Sequence, residues 1–174
     1  MATSQHFVAL DTTQFDVKSF DCGKPAMNEF LARYASKHMK LGLSTSWVLP
    51  AKEPSKHLKT PIAAYYTLAS STVSKDEIPV PAELPGYPVP VVLLARLAVA
   101  SHLQGKRYGE KALVCALRHS VELTTRGLPA IGLILDVLDE DARSFYDRFE
   151  IFHPFTDDPM RLFVPMHVLR RITP

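Results

Sequence analysis

A short polar loop with two glycines lies in the middle of the chain, where its residue types suit phosphate binding. Residues 104–109 read Gln-Gly-Lys-Arg-Tyr-Gly, and apolar residues at helical spacing follow them. The first backbone N–H groups of a helix lack intrahelical partners, and the helix dipole adds partial positive charge there. Gly105 and Gly109 let the main chain approach a ligand without interference from a Cβ atom. The loop therefore predicts a site for a pyrophosphate-bearing cofactor.

A buried strand and a helix are predicted to position this loop. Residues 91–99 are apolar except for Arg96, which is typical of a strand covered on both faces. A helix is predicted over residues 105–125, because apolar side chains recur there at helical spacing. These are Ala112, Leu113, Ala116, Leu117 and Val121.

The remaining chain alternates predicted strands with two more helices. Strands are predicted over residues 7–10, 45–50, 62–73, 130–138 and 162–169. Residues 74–90 contain five prolines and predict neither a helix nor a central strand. This order indicates an α/β or α+β protein built around one mixed sheet, with residues 1–174 forming a single domain.

The two further helices have recognisable ends. One begins with Pro25 at its first position and stops at Gly42, and the other begins after Asp139 as N-cap. The first helix carries one predicted apolar stripe, composed of Met27, Phe30, Leu31, Tyr34, His38 and Leu41. The inward stripe of the second is composed of Ala142, Phe145, Tyr146 and Phe149.

Composition limits the class of protein. The 174 residues, 47% of them hydrophobic, suffice for one packed domain and are few for two. No apolar run approaches the roughly 20 residues of a membrane span, and the first residues lack the features of a secretory signal. Because Cys22 and Cys115 are the only cysteines, we expect no disulfide framework and a reducing cytoplasm.

The net charge of +2 conceals an uneven distribution. Eight acids and two bases lie between residues 136 and 158, whereas six bases and one acid lie between residues 33 and 59. The basic face could meet a polyanion, although an ordinary solvated helix and loop explain it equally well. Its members are Arg33, Lys37, Lys40, Lys52, Lys56 and Lys59.

The central segment resembles the acetyl-CoA motif of GNAT-fold N-acetyltransferases, (Gln/Arg)-x-x-Gly-x-(Gly/Ala). Gln104 and Gly109 match its ends, and Arg107 stands where the middle glycine is usual. The resemblance implies the GNAT acyl-CoA N-acyltransferase fold, a central mixed twisted sheet flanked by helices, with acetyl-CoA as co-substrate and no metal. It also implies that backbone N–H groups around Leu97 and Val99 face the thioester carbonyl.

A second GNAT motif, Asn-x-x-Ala-x-x-Phe-Tyr, is similar to residues 139–146. Asp139 takes the place of Asn, and Tyr146 ends the motif. A phenol, protonated at neutral pH, can give its proton to the departing CoA sulfur, so Tyr146 is the predicted catalytic acid. Without the family resemblance, a core aromatic would be the preferred interpretation of Tyr146. The cofactor-binding residues that the two motifs imply are Leu97, Ala98, Val99, Gln104, Gly105, Lys106, Arg107, Tyr108, Gly109, Glu110, Asp139 and Phe145.

A narrower resemblance covers nearly the whole chain. Phe-Asp-Cys-Gly at residues 20–23, Tyr-Tyr-Thr-Leu at 65–68 and Asp-Asp-Pro-Met at 157–160 are similar to GNAT toxins of bacterial type II toxin–antitoxin modules. The resemblance implies acetylation of the α-amino group of the amino acid on charged tRNA, which blocks translation. It also implies a ribbon-helix-helix antitoxin that represses the operon together with the toxin.

A charged tRNA presents many phosphates and one reactive amine, so the basic residues gain a role under this hypothesis. The predicted tRNA-binding residues are Arg33, Lys37, Lys40, Arg96, Arg170 and Arg171. An ion pair holding a strand is an equally good interpretation of Arg96.

Two other functions are compatible with the same sequence features. One is a GNAT enzyme acting on a small amine or a protein N-terminus, whose activity would be insensitive to salt. The other is a catalytically silent binding module that serves as antitoxin partner and co-repressor. The sequence leaves open the selected tRNA and the oligomeric state, although a homodimer would help to span a tRNA.

Overall fold

The structure is a computed structural model that describes residues 6–53, 55–79 and 83–173. The chain forms two compact units, one of Met1–Ala69 with Arg96–Ala116 and one of Ser70–Ala95 with Leu117–Pro174. Within the described ranges, no helix is long and apolar enough to cross a bilayer.

The first unit contains antiparallel strands and a long helical segment. Strand β1 (Val8–Ala9) pairs antiparallel with β3 (Thr45–Pro50), which pairs antiparallel with β4 (Thr60–Val73). A short strand β2 (Phe15–Asp16), which the sequence did not predict, pairs parallel with β4. The strand predicted at residues 45–50 is confirmed with its bounds, and the one at 62–73 begins two residues earlier.

The second unit is built around a parallel strand pair. Strand β5 (Val89–Val99) pairs parallel with β6 (Gly132–Asp136), with Leu93 opposite Ile134. Strand β8 (Arg161–Pro165) pairs antiparallel with both β6 and β7 (His153–Pro154). The strand order β1-β3-β4-β5-β6-β8-β7, with β2 beside β4, is a mixed sheet accompanied by helices, as expected of the α/β class.

The helix predicted between Pro25 and Gly42 is interrupted. It comprises α1 (Pro25–Glu29), a π-helical segment (Phe30–Tyr34) and α2 (Ala35–Leu41). Because π-helical i→i+5 bonds widen the turn, they shift the helix face that follows, and the predicted apolar stripe is partly wrong. Phe30 and Leu31 are buried, whereas Tyr34 and Leu41 are 43% and 64% exposed.

Both predicted ends of this helical segment are confirmed. Pro25 occupies the first turn, and Gly42 adopts φ 73°. The Gly42 N–H donates to the Met39 carbonyl, and the Leu43 N–H donates to the His38 carbonyl. These two bonds form a Schellman motif, which satisfies the last carbonyls of the helix.

Residues 74–90 were predicted to form neither a helix nor a central strand, but β5 already begins at Val89. Residues 80–82 lie outside the described residues. Pro90 belongs to β5, because proline is tolerated near the first position of a strand. Its carbonyl accepts a hydrogen bond from the Ile131 N–H at 2.9 Å.

The end of the chain corrects a second prediction. Residues 162–169 were expected to form a strand, but β8 ends at Pro165 and helix α5 (Met166–Ile172) follows. Met166 and Leu169 are buried, as residues three apart on one helix face can be. Arg170 and Arg171 therefore lie in the last turn of a helix.

Candidate functional site

The polar loop lies between the end of β5 and the start of a long helix. A 3₁₀ turn (Ser101–Leu103) follows β5, and helix α3 (Tyr108–Thr125) begins three residues later than predicted. Residues 104–107 are exposed to solvent, while Tyr108 packs against a buried cluster that includes Leu49 and Ala63. The loop is thus accessible from outside, and its far end is anchored in the interior.

The loop backbone is left-handed at two positions, Gly105 with φ 77° and Arg107 with φ 68°. Among the described non-glycine residues, Arg107 alone has a positive φ. A residue with a side chain is less stable in this conformation by about 1–2 kcal/mol. Arg107 therefore keeps a backbone conformation that glycine adopts readily, although the motif glycine is absent.

The start of α3 supplies hydrogen-bond donors for a phosphate. The Lys111 N–H donates to the Arg107 carbonyl at 3.1 Å, which places Arg107 at the N-cap. The N–H groups of Tyr108, Gly109 and Glu110 therefore precede the first intrahelical bond and lack partners within the helix. An exposed loop that ends in such donors fits the diphosphate of a CoA thioester.

The Gln104 side chain holds the loop in place. Its amide nitrogen donates to the Val99 carbonyl and to the Cys22 carbonyl, each at 2.9 Å. The side chain is thus engaged with protein backbone, and cofactor contact at this position would come from the main chain. Gln104 joins the end of β5, the phosphate loop and the chain before α1.

Residues 21–23 form the other side of this attachment. The N–H and hydroxyl of Ser101 both donate to the Asp21 carbonyl, at 2.9 and 3.1 Å. The turn is closed by the Asp21 carboxylate, which accepts from the Gly23 N–H and the Asn28 side chain. These hydrogen bonds hold the pKa of Asp21 below its usual value. The first residues of α1 are therefore tied to the phosphate loop.

The strand residues predicted to face a thioester lie at the end of β5. Ala98 and Val99 are buried, Leu97 is partly buried, and the next N–H, that of Ala100, donates to the Ala63 carbonyl at 2.8 Å. The predicted role of Leu97 and Val99 rests on backbone groups and stays a prediction.

The second motif occupies helix α4 (Glu140–Tyr146). The Asp139 carboxylate accepts the Ala142 N–H at 2.9 Å, so the predicted N-cap is confirmed. The ring of Tyr146 packs edge-to-face against Phe145 and Phe152, with centroids 5.0 and 5.7 Å away. Phe149 lies beyond the helix end and is partly buried.

Burial of the Tyr146 side chain favours the protonated form of its phenol. Only 7% of the residue is exposed, and within the described part of the chain its hydroxyl makes no hydrogen bond. Burial raises the pKa of this phenol above its usual value. The Tyr146 hydroxyl therefore retains its proton throughout the neutral range.

The predicted tRNA-binding residues fall in different parts of the fold. Arg33 lies on the π segment, and Lys37 and Lys40 lie on α2, all exposed. Arg170 and Arg171 lie on α5 in the second unit, where an Arg170 guanidinium nitrogen is 3.5 Å from the Thr124 hydroxyl.

Arg96 projects from β5 toward an aromatic ring. Its guanidinium carbon lies 4.6 Å from the centre of the Phe30 ring, a cation–π contact. The neighbouring Tyr65 is buried and donates its hydroxyl to the Met27 carbonyl at 2.7 Å. Burial raises the pKa of Tyr65.

Sequence reasoning missed the residues that attach the phosphate loop, namely Ser101, Asp21 and Asn28. The Asp-x-Gly spacing at residues 21–23 was the available signal, because an Asp side chain often accepts from the backbone N–H two residues onward. The attachment joins segments about 80 residues apart in the sequence, as the Asp21–Ser101 bond shows. Local patterns carry no information on such a pairing.

Similar proteins place this geometry in a known class. The fold matches that of AtaT complexed with acetyl-methionyl-tRNAfMet, with a TM-score of 0.84 and 24% identity over 97% of this chain and 99% of that one. It also matches an AtaT mutant bound to acetyl-CoA and the C-terminus of the antitoxin AtaR, with a TM-score of 0.79, 24% identity and 96% coverage of each chain. The chain therefore has the GNAT fold of these AtaT structures.

A curated relative gives a more specific assignment, whereas no model of a protein family matches the chain. The "tRNA-acetylating toxin" of Mycobacterium tuberculosis is 32% identical over 160 residues, which are 90% of each protein. The chain therefore belongs to the family of tRNA-acetylating toxins, and the resemblance identified from its motifs is confirmed.

Proposed function

We propose that this chain, as a single GNAT domain over residues 1–174, transfers acetyl from acetyl-CoA to the α-amino group of the amino acid on charged tRNA. Inhibition of translation would follow, because a blocked α-amino group cannot attack a peptidyl ester. The observation that carries the proposal is the loop at residues 104–109, exposed over 104–107, with left-handed Gly105 and Arg107 before N–H groups of α3 that lack partners within the helix.

In this proposal the loop binds the diphosphate and β5 orients the acyl group. The N–H groups from Gly105 to Glu110 donate to phosphate oxygens, and Lys106 and Arg107 add charge-assisted contacts from their exposed side chains. The N–H groups of Leu97 and Val99 stabilise the negative charge that develops on the carbonyl oxygen. The thioester itself supplies an activated acetyl group.

Tyr146 is assigned as the catalytic acid. The neutral amine nitrogen forms its bond to the acetyl carbon, the carbon–sulfur bond breaks, and the phenol gives its proton to the departing sulfur. The nitrogen loses one proton as the amide forms, and this proton, passed through solvent, restores the phenol. A proton donor must be protonated at neutral pH, which a phenol already is at its ordinary pKa near 10, and the raised pKa of Tyr146 preserves that state. Asp139 caps α4, and Phe145 packs on the Tyr146 ring, so both hold this phenol in position.

The partners follow from the family. AtaT is seen with the antitoxin AtaR and with acetyl-methionyl-tRNAfMet. For this chain we propose a charged tRNA as substrate, contacted by Arg33, Lys37, Lys40, Arg96, Arg170 and Arg171. We further propose a ribbon-helix-helix antitoxin, operator DNA bound only through the antitoxin complex, a homodimer and a cytoplasmic location.

The test is incubation of the protein with total charged tRNA and labelled acetyl-CoA, followed by identification of the labelled aminoacyl species. We expect label on the α-amino group of one or a few amino acids, and transfer that weakens steeply with salt because phosphate contacts do. Label found only on small amines or protein N-termini, at a rate insensitive to salt, would overturn the proposed substrate.

A further inference from the structure

Four side chains of the first unit form a continuous row from strand β5 to the surface of the π-helical segment. The Arg96 guanidinium lies 4.6 Å over the Phe30 ring, and Phe30 meets His38 edge-to-face at 5.4 Å. His38 in turn lies 6.2 Å from the Tyr34 ring at a tilt of 54°. We name Arg96, Phe30, His38 and Tyr34 the aromatic row.

The outer end of the aromatic row is open to solvent. Phe30 is 6% exposed, whereas Tyr34 is 43% exposed, so packing in the core does not account for the outer ring. The π segment accounts for its orientation, because the widened turn carries Tyr34 away from the buried face. An aromatic ring held outward by backbone geometry is available to a ligand.

Two exposed basic residues lie close to Tyr34 along the helical segment. Arg33 precedes Tyr34, and Lys37 lies one turn further along the helical segment. The Arg33 guanidinium is 3.7 Å from Glu29, but both side chains are more than half exposed, so a phosphate can compete for this arginine. An exposed ring on a helical segment that also carries exposed basic side chains matches the chemistry of unpaired nucleotides, whose bases stack and whose phosphates are anionic.

We propose that the aromatic row receives the unpaired 3′ end of charged tRNA. Bases stack on Tyr34 and His38, while Arg33 and Lys37 contact the phosphates. A duplex does not fit this role, because its bases are already stacked on one another. The inference rests on the proposed function, since the reactive amine is carried at that 3′ end.

The position of Arg96, at the inner end of the aromatic row, indicates the direction in which the 3′ end would run. Arg96 directly precedes Leu97, to which the proposed function assigns a backbone contact with the thioester carbonyl. A strand of nucleotides lying along the row from Tyr34 would therefore bring its last residue toward the end of β5. The guanidinium of Arg96, stacked on Phe30, offers a further planar cation to the terminal nucleotide.

Three variants of the full chain test the proposal. Tyr34→Ala removes the outer ring, Tyr34→Phe keeps it, and Leu41→Ala truncates an exposed apolar side chain of α2 as a matched control. One measurement is the KM for charged tRNA in acetyl transfer. The other is direct binding of a single-stranded oligoribonucleotide with the tRNA 3′-terminal sequence, beside a blunt RNA hairpin.

We expect Tyr34→Ala to raise the KM and weaken oligonucleotide binding by about 5- to 150-fold, the range for loss of one stacked base. Binding of the hairpin and kcat should change little, and Tyr34→Phe and Leu41→Ala should stay within about twofold of the wild type. Equal oligonucleotide affinities for the wild type and Tyr34→Ala would overturn the proposal. If the wild type acetylates no charged tRNA, the proposed function fails, and the oligonucleotide measurement still decides the role of the row.

Discussion

The loop at residues 104–109 and helix α4 each depart from the GNAT pattern at one position, and the structure accommodates both departures. In the loop, Arg107 replaces the usual glycine yet keeps a left-handed backbone at φ 68°. In α4, Asp139 replaces asparagine yet caps the helix through its carboxylate.

The two regions differ in which groups would carry the chemistry. The loop is exposed and offers main-chain N–H groups, which most side chains leave in place. Helix α4 offers one buried phenol, that of Tyr146, and the proposed chemistry depends on its hydroxyl. The loop should therefore tolerate substitution as long as its backbone conformation is preserved, whereas Tyr146 should not.

The largest effect is expected from Tyr146→Phe. The change removes only the hydroxyl and keeps the ring contacts with Phe145 and Phe152. We expect kcat to fall by about 10²–10⁴-fold, the usual contribution of a general acid, with the thermal midpoint nearly unchanged. Steady-state transfer to charged tRNA measures it, and a variant with full kcat would remove Tyr146 from the mechanism.

The pH dependence of the wild type follows from the same residue. Burial raises the phenol pKa above its ordinary value near 10, and the active form is the protonated one. Activity should therefore show no loss from Tyr146 deprotonation below about pH 10. A loss of wild-type activity with a midpoint near pH 8, absent from the pH profile of Tyr146→Phe, would contradict a raised phenol pKa.

A moderate effect is expected from Gln104→Glu, which preserves shape but removes the donors to Val99 and Cys22. We expect the KM for acetyl-CoA to rise on the order of tenfold and the free energy of unfolding to fall by about 1–2 kcal/mol. Gln14→Glu, at an exposed position, is the control and should change neither the KM for acetyl-CoA nor the free energy of unfolding. Unchanged acetyl-CoA binding would show that the loop keeps its conformation without this attachment.

A smaller effect is expected at the start of α4. Asp139→Ala removes the acceptor for the Ala142 N–H and should lower the free energy of unfolding by about 1 kcal/mol. Asp139→Asn, which restores the usual family residue and still caps a helix, is the matched control. Chemical denaturation of the two variants checks the difference, and equal losses would assign Asp139 a role other than capping.

The smallest effect is expected from Arg107→Gly, and it has the opposite sign. Glycine adopts φ 68° without a Cβ penalty, so the free energy of unfolding should rise by up to about 1 kcal/mol. Calorimetric titration should show acetyl-CoA affinity retained within a fewfold. A large loss of affinity would mean that the guanidinium, and not the backbone, dominates binding at this position.

Local sequence signals predicted the elements that depend on local chemistry. Strand β3, the Schellman end at Gly42 and the Asp139 cap follow from residue preferences within a few positions. Helix α5 was missed because the apolar run before Arg170 is too short for its period to separate strand from helix. The π segment was missed because its side-chain composition is that of an ordinary helix.

Within the candidate site, too, the sequence predicted the features that depend on local residue patterns and missed a long-range contact. The phosphate loop was predicted from glycine spacing and a following helix, both of which are local. The role of the Gln104 side chain was not, because its partner Cys22 is 82 residues away in the sequence. The assignments of Tyr146 and of the basic residues came from family resemblance and remain predictions.

Single-turnover transfer is the most direct measurement of the central claim, that main-chain amides hold acetyl-CoA while the Tyr146 phenol completes the transfer. Wild type and Tyr146→Phe are each loaded with labelled acetyl-CoA and mixed with charged tRNA. We expect equal acetyl-CoA affinity in the two proteins and rapid labelling of aminoacyl-tRNA by the wild type alone. Equal labelling rates, or a wild type that binds no acetyl-CoA, would contradict the central claim.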